Sequence, residues 1–299
     1  MHCPWAEDLA DAKRVATRLG IDFRIFDFEQ QYRDRVVEYM LAEYRAGRTP
    51  NPDIMCNQEI KFKLFYDVAL EQGADLIATG HYAQIIDGQL ARAVDEQKDQ
   101  TYFLARMPHE SLERTLFPVG HLTKPEVKRL AAEHNLSVAT KKESMGICFV
   151  GEVDIRHFLK QYLDVRPGPI VDEQTGEELG THEGVPFYTI GQRHGLYLAS
   201  DLPYYVSHKD AETNTLYVTK NLNDENLWKR EVKLKSIIGV SSEASFLART
   251  RHRGELIPAR LDGDTVVFEE PQKALNPGQF IVFYGGDNHQ FVIGSGIIA

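Results

Sequence analysis

Cysteine is scarce in this chain: Cys3, Cys56 and Cys148 are three residues in 299. An odd number with no C-x-x-C pair argues against a disulfide framework and against a cysteine-rich zinc site, and no metal site is expected. The scarcity fits a reducing compartment, where a cysteine is either a small buried hydrophobe or a reactive thiol. Long apolar runs are also missing. None approaches the ~18 residues of a membrane span, so no membrane partner is expected. No basic segment followed by an apolar core opens the chain, so no secretory signal is read and a cytoplasmic location is expected. Positive charge is in deficit, with 34 basic against 44 acidic residues and a net charge of −10. That argues against coating nucleic acid by bulk electrostatics, yet leaves a specific RNA substrate open, because phosphates respond to local potential. Repeats, coiled-coil heptads and low-complexity tracts are absent.

What is present is an ordinary globular composition, 42% hydrophobic and 26% charged, at a length comfortable for two or three domains. Local basic clusters occur at Lys124, Lys128 and Arg129, at Lys141 and Lys142, and at Arg249, Arg251 and Arg253; each reads equally as a solvated face. The first half alternates helical and extended patterns. Leu9, Ala12, Ala16 and Leu19 recur at helical spacing up to Gly20, and Ile21 to Phe28 reads as a strand burying Phe23 and Ile25. Val36, Val37, Met40, Leu41 and Tyr44 stripe a second helix ended by Gly47, and Ile60, Leu64, Val68 and Ala69 mark a third. Leu76-Ile77-Ala78, between Gly73 and Gly80, suits a buried parallel strand. Alternation of this kind predicts an α/β fold with a central sheet. The character changes after a helix ending near Leu163. Arg166-Pro167-Gly168-Pro169 breaks the chain, and short β-like runs follow, including Val266 to Phe268 and Phe280 to Tyr284 about the turn Asn276-Pro277-Gly278. The expected domains are 1–163, a small mixed central domain at 164–223, and a C-terminal β-barrel at 224–299.

Two cysteines sit in suggestive surroundings. Cys56 follows Thr49-Pro50-Asn51-Pro52-Asp53-Ile54-Met55, a loop stiffened by two prolines, and Asn57 reads as the cap of the helix beyond. A thiol just before a helix feels the positive end of its dipole, and Lys61 and Lys63 add charge in the next turn. Asp53 stands three residues before the thiol and could exchange protons with a reacting group. Cys148, in Gly146-Ile147-Cys148-Phe149-Val150-Gly151, also precedes an amphipathic helix (Ile155, Phe158, Leu159, Tyr162), with Lys141 and Lys142 upstream. The residues alone leave both readings open for each. Sulfur chemistry would have a use for the two together, because cleaving a persulfide S–S bond takes a second thiol.

The blocks Asn51-Pro52-Asp53-Ile54-Met55-Cys56-Asn57-Gln58-Glu59-Ile60-Lys61-Phe62, Ala78-Thr79-Gly80-His81-Tyr82, Lys98-Asp99-Gln100, Gly146-Ile147-Cys148-Phe149, Thr189-Ile190-Gly191-Gln192-Arg193, Arg251-His252-Arg253 and Pro277-Gly278-Gln279 occur in this order. Together they resemble the tRNA-specific 2-thiouridylase family (MnmA-type) over nearly the whole chain. The resemblance implies an ATP-dependent sulfurtransferase, with Mg2+ accompanying the ATP, acting on the wobble uridine of certain tRNAs. Its fold would be a PP-loop-like (adenine nucleotide alpha hydrolase) parallel-sheet domain, then a central domain, then a β-barrel. By position, Cys148 would carry the persulfide and Cys56 would be the second catalytic thiol, forming a transient disulfide with it. Asn51, Pro52 and Asp53 would approach the target base, with Asp53 as acid/base. Gly80 would meet the nucleotide at the C-terminal end of a sheet strand. Lys98, Asp99, Gln100, Arg251 and His252 would contact tRNA. Sulfur would come from a cysteine desulfurase or a sulfur-relay protein. His81 could touch substrate or be a structural histidine, and Cys3 is read as structural.

One family feature is not found. Members open on a Ser-Gly-Gly-x-Asp-Ser loop that cradles ATP phosphates, and the nearest string here, Gly285-Gly286-Asp287, leads into no helix. The resemblance begins near Cys3 and Trp5, and about 50 to 60 residues of a strand–loop–helix–strand unit are expected ahead of it. A misplaced start codon is the simplest account. This polypeptide alone is therefore expected to bind ATP poorly and to be aggregation-prone, with a non-catalytic tRNA-binding remnant as the alternative reading.

Overall fold

The computed structural model describes residues 4–141, 155–241 and 244–299. They divide into two units, the first drawn from 4–37, 52–141 and 290–292, the second from 38–51, 155–241, 244–289 and 293–299.

In the first unit, the expected helical stripe becomes the helix Pro4–Leu19, closed by Gly20 at φ +67°. After the short helix Glu29–Tyr32, the second stripe begins on the wider, π-type turns Arg33–Val37, where Val36 and Val37 are buried, and its later residues lie on Glu38–Arg45. The third helical run begins at Pro52 and continues through Cys56, π-type turns at Asn57–Phe65, and Tyr66–Glu71. The apolar run at 76–78 supplies β1 (Ile77–Ala78). After it come β2 (Ala83–Ile86), β3 (Gln89–Arg92) and β4 (Thr115–Leu116). β1 and β4 pair in parallel, Ile77 opposite Thr115, as expected for an α/β sheet. β2 and β3 form an antiparallel hairpin, and Phe291 pairs with Ala91 on its outer side. The core joins helix and strand: Phe62, Tyr66 and Ala69 meet Ile77, Ala83, Leu90, Leu104 and Phe117. Gly120 is needed for this closeness, because a Cβ there would stand 1.6 Å from the carbonyl oxygen of Ala83.

One expectation fails. Residues 21–28 form no strand, and Ile21 and Ile25 are 60% and 57% exposed, with Phe23 exposed too. A strand exists only where a neighbour completes its ladder, and among the described residues none pairs with this segment.

In the second unit, the helix Glu38–Arg45 buries Met40 and Leu41, and Ile155–Tyr162 buries Leu159 on its apolar face. The chain break at 166–169 opens β5 (Gly168–Asp172), followed by β6 (Glu178–His182), β7 (Tyr205–Asp210) and β8 (Thr215–Thr219). These make a small sheet in the order β6-β5-β8-β7, parallel only between β5 and β8. β9 (Trp228–Ile238), β10 (Ser245–Arg249), β11 (Ile257–Asp262), β12 (Thr265–Lys273), β13 (Phe280–Gly285) and β14 (Phe291–Ile298) run in the order β13-β10-β11-β12-β9-β14. Pairing of β13 with β14 closes them into a six-stranded antiparallel barrel. Alternate residues fill it: Phe246, Phe268, Ile281 and Phe283 are almost wholly buried, with the Phe246 and Phe283 rings 4.3 Å apart. Among the described residues, no helix is long and apolar enough to cross a membrane.

Candidate functional site

The helix that carries Cys56 starts earlier than the sequence suggests. Pro52 is its first residue, a position where the missing N–H costs nothing and the fixed φ favours the helix. Cys56 is therefore inside a continuous helical run (φ −60°, ψ −45°) and wholly buried. The expected placement just before a helix N-terminus is corrected, because the dipole's effect fades within the first turn. Asn57 is likewise no cap. It is buried, and its Nδ2 donates to the carbonyl oxygen of Phe103 at 3.0 Å. Lys63 is paired with Glu59 at 3.3 Å, which offsets the charge it was expected to bring to the thiol.

The same helix improves one expectation. Asp53 and Cys56 are three residues apart within Pro52–Cys56, and that spacing stacks them on one helical face. This short helix packs on the turns Arg33–Val37 and on the helix Thr101–Leu104. The latter directly follows Lys98-Asp99-Gln100. Asp99 is 1% exposed: its Oδ1 accepts from Thr101 Oγ1 (2.8 Å) and Thr101 N (3.2 Å), and Arg92 Nε lies 3.8 Å from Oδ2. Gln100 Oε1 accepts from the amide of Tyr82 at 2.9 Å, and the Gln100 amide returns a bond to the Tyr82 carbonyl. Asp99 and Gln100 thus shape their own segment, and Lys98 keeps a partly exposed side chain.

Gly80 follows β1 at the C-terminal edge of the parallel pair, exposed and with open space where a Cβ would be. Beside it, His81 Nδ1 bonds to Thr79 Oγ1 at 2.7 Å, and its ring packs on Phe62 and Phe117. Burial, helped by the Lys61 charge, pushes its pKa down to about 3, so it stays a neutral imidazole. The first unit therefore gathers Asp53, Cys56, Gly80, His81 and Lys98–Gln100 through two hydrogen-bonded links, Tyr82–Gln100 and Asn57–Phe103. Cys148 and Cys3 lie outside the described residues.

The remaining predicted positions belong to the second unit. Asn51 directly precedes Pro52, where asparagine is a favoured cap. Arg251 and His252 occupy the turn between β10 and β11; Arg251 is exposed and Arg253 holds φ +59°. The Gln192 side chain closes its own turn, accepting from Thr189 N at 3.1 Å and donating to His194 O at 2.8 Å. Lys209 was not singled out in the sequence. It is partly buried, bonded to Thr49 and Tyr188, and nothing in Ser207-His208-Lys209-Asp210 distinguishes it from a solvated strand lysine.

Comparisons with known proteins cover nearly the whole chain. Residues 1–152 match the family model described as tRNA methyl transferase HUP domain, 156–220 the tRNA methyl transferase PRC-barrel domain, and 227–298 the aminomethyltransferase beta-barrel domain. The chain is 45% identical over 306 aligned residues to a tRNA-specific 2-thiouridylase MnmA of Lactococcus lactis subsp. cremoris (strain SK11), covering 95% of this chain and 81% of the relative. It is 45% identical to one from Stutzerimonas stutzeri (strain A1501), covering 99% and 83%, and 46% identical to one from Alcanivorax borkumensis, covering 95% and 83%.

Proposed function

We propose, from the premise that this chain belongs to the tRNA-specific 2-thiouridylase family, that it is a sulfurtransferase that replaces the 2-oxygen of the wobble uridine in tRNA with sulfur. The observation that carries the reading is the likeness itself, which runs through 95% or more of the chain and most of each relative. The family uses ATP, and here ATP serves as a substrate. The uridine oxygen attacks the α-phosphate and pyrophosphate leaves, which turns a poor leaving group into AMP. The terminal sulfur of a persulfide then attacks the carbon, and AMP departs with the oxygen.

Cys148 is the persulfide carrier in this reading, and Cys56 is the thiol that attacks the Cys148 sulfur. That attack leaves the terminal sulfur on the base and a Cys56–Cys148 disulfide, which a thiol reductant resets. Asp53, one helical turn from Cys56, takes or returns the proton, and Asn51 and Pro52 face the base. Gly80 gives the nucleotide close access to backbone at the strand end. Lys98, Arg251 and His252 meet tRNA phosphates, while Asp99 and Gln100 act by holding Lys98 in place. Mg2+ would come with the ATP phosphates, since the described residues include no cluster of three His, Cys, Asp or Glu side chains to hold it. The chain divides into domains at 1–163, 164–223 and 224–299 in this reading, supported by the barrel strand that begins at Trp228. A cysteine desulfurase or a relay protein loads the persulfide, in the cytoplasm.

Loading is directly testable. With cysteine desulfurase and cysteine, persulfide-selective labelling followed by peptide mass spectrometry is expected to mark the Cys148 peptide, and Cys148→Ser is expected to abolish the mark. Labelling confined to Cys3 or Cys56 would refute the assignment.

A further inference from the structure

The loop that delivers Asn51 is held from two distant parts of its own unit. The Thr49 amide donates to the Pro277 carbonyl at 2.8 Å. Gln279 Nε2 donates to the carbonyl oxygens of Thr49 at 2.8 Å and Pro50 at 3.0 Å. The turn at 276–279 can come this close because Gly278 adopts φ +90°, and even a Cβ there would lie 3.0 Å from the Thr49 oxygen. From β7, Lys209 Nζ donates to the Tyr188 carbonyl at 2.9 Å and reaches Thr49 Oγ1 at 3.4 Å. Desolvation at this partly buried position pushes the Lys209 ammonium down to about 8.

The two holding segments are themselves joined. Asn276 Oδ1 accepts from Ile190 N at 2.8 Å, and its Nδ2 donates to Ala274 O at 2.8 Å and Ile190 O at 3.3 Å. On the other side of Thr49, Arg48 makes paired bonds to buried Glu43 at 2.7 and 2.6 Å, with Lys235 of β9 at 3.5 Å. The Thr49 amide and both carbonyls of Thr49-Pro50 are thus taken by one turn beside the barrel. Pro50 has a fixed φ, so a constraint placed on Thr49 reaches Asn51 with little slack.

We infer that Gln279 and Lys209 are positioning residues for sulfur transfer: they lock Thr49-Pro50-Asn51 so that Asn51 is presented to the base in one geometry. The inference rests on the base-facing reading of Asn51 to Asp53. It gives the central sheet and the barrel a part in the chemical step as well as in holding RNA. Misplacing reacting groups from a distance costs rate, whereas losing an RNA contact shared by ground and transition states costs affinity.

The test compares wild type with Gln279→Ala, Lys209→Met and the near-isosteric Gln279→Glu, which removes the donor with little change of volume. Amide exchange is read across 47–56 with the 280–285 strand as internal control, and thiolation of tRNA is read as kcat and KM. The expected result is exchange at Thr49 faster by about tenfold or more and kcat lower by about ten- to a hundredfold, with KM for tRNA within about twofold. Unchanged exchange across 47–56 overturns the inference. So does a raised KM with unchanged kcat, which would make these side chains RNA contacts. Should Gln279→Ala or Lys209→Met fail to fold, Gln279→Glu decides by the same two readouts. A wild-type chain that transfers no sulfur defeats the parent reading, whereas an active wild type with unaffected variants defeats this inference alone.

Discussion

At the scale of single residues, Cys56 and His81 show how much a position depends on what surrounds it. Cys56 is completely buried, and a buried thiol is either an inert space-filler or a nucleophile that works only when its surroundings open. Its neighbours decide nothing singly, but its helix stacks it over Asp53, one turn away. His81 is held neutral by burial. An unfolded histidine takes up a proton near pH 6.5, and His81 does so only near pH 3. The unfolded chain therefore binds the extra proton first. The stability contributed by the neutral ring is complete above about pH 6.5 and is lost at up to ~1.4 kcal/mol per pH unit as pH falls toward 3. Urea unfolding at pH 7 and pH 5 is expected to show that loss, and His81→Phe to flatten it. An equal slope in the variant would mean that other groups govern the acid limb. The sequence disclosed the candidate residues but not these environments, because burial is a property of the partners.

Among the elements, the periodic ones were legible and the partnered ones were not. The stripes of Pro4–Leu19, Glu38–Arg45 and Ile155–Tyr162 are written in helical spacing and survive as helices. The start at Pro52 was hidden, since Pro50-Asn51-Pro52 looks like a loop, although proline is well suited to the first helical position. Residues 21–28 failed for the opposite reason: the pattern suits a strand, but a strand also needs a neighbour. The consequence is exposed apolar surface, Ile21 and Ile25 here, with Leu76 beside the parallel pair and Leu116 within it. Concentration-dependent light scattering is expected from the purified chain, reduced by the double substitution Ile21→Lys and Ile25→Lys. Scattering that rises with concentration identically in both proteins would place the sticky surface elsewhere.

For the whole molecule, the change of character near residue 164 foretold the passage from α/β to β-rich structure, and the turn at 276–278 foretold the strands on either side of it. Closure of the six strands into a barrel was not legible as connectivity, since the pairing of β13 with β14 follows from shape and not from any local signal. Nor was the link between Thr49 and Gln279, which joins residues far apart in sequence through backbone atoms that carry no sequence signature. What the ordered blocks did disclose was the chemistry, transfer of sulfur to a tRNA base, for which Cys56 and Cys148 are the proposed thiols. The most direct measurement incubates an unmodified tRNA transcript with the chain, a persulfide donor and ATP at concentrations high enough to fill a weak site, then reads the wobble nucleoside by mass spectrometry. The account predicts 2-thiouridine from the wild-type protein and none from Cys56→Ser or Cys148→Ser, with tRNA binding retained in both. Transcript that is bound equally well by all three proteins and returned unthiolated would contradict it, leaving an RNA-binding protein without the reaction.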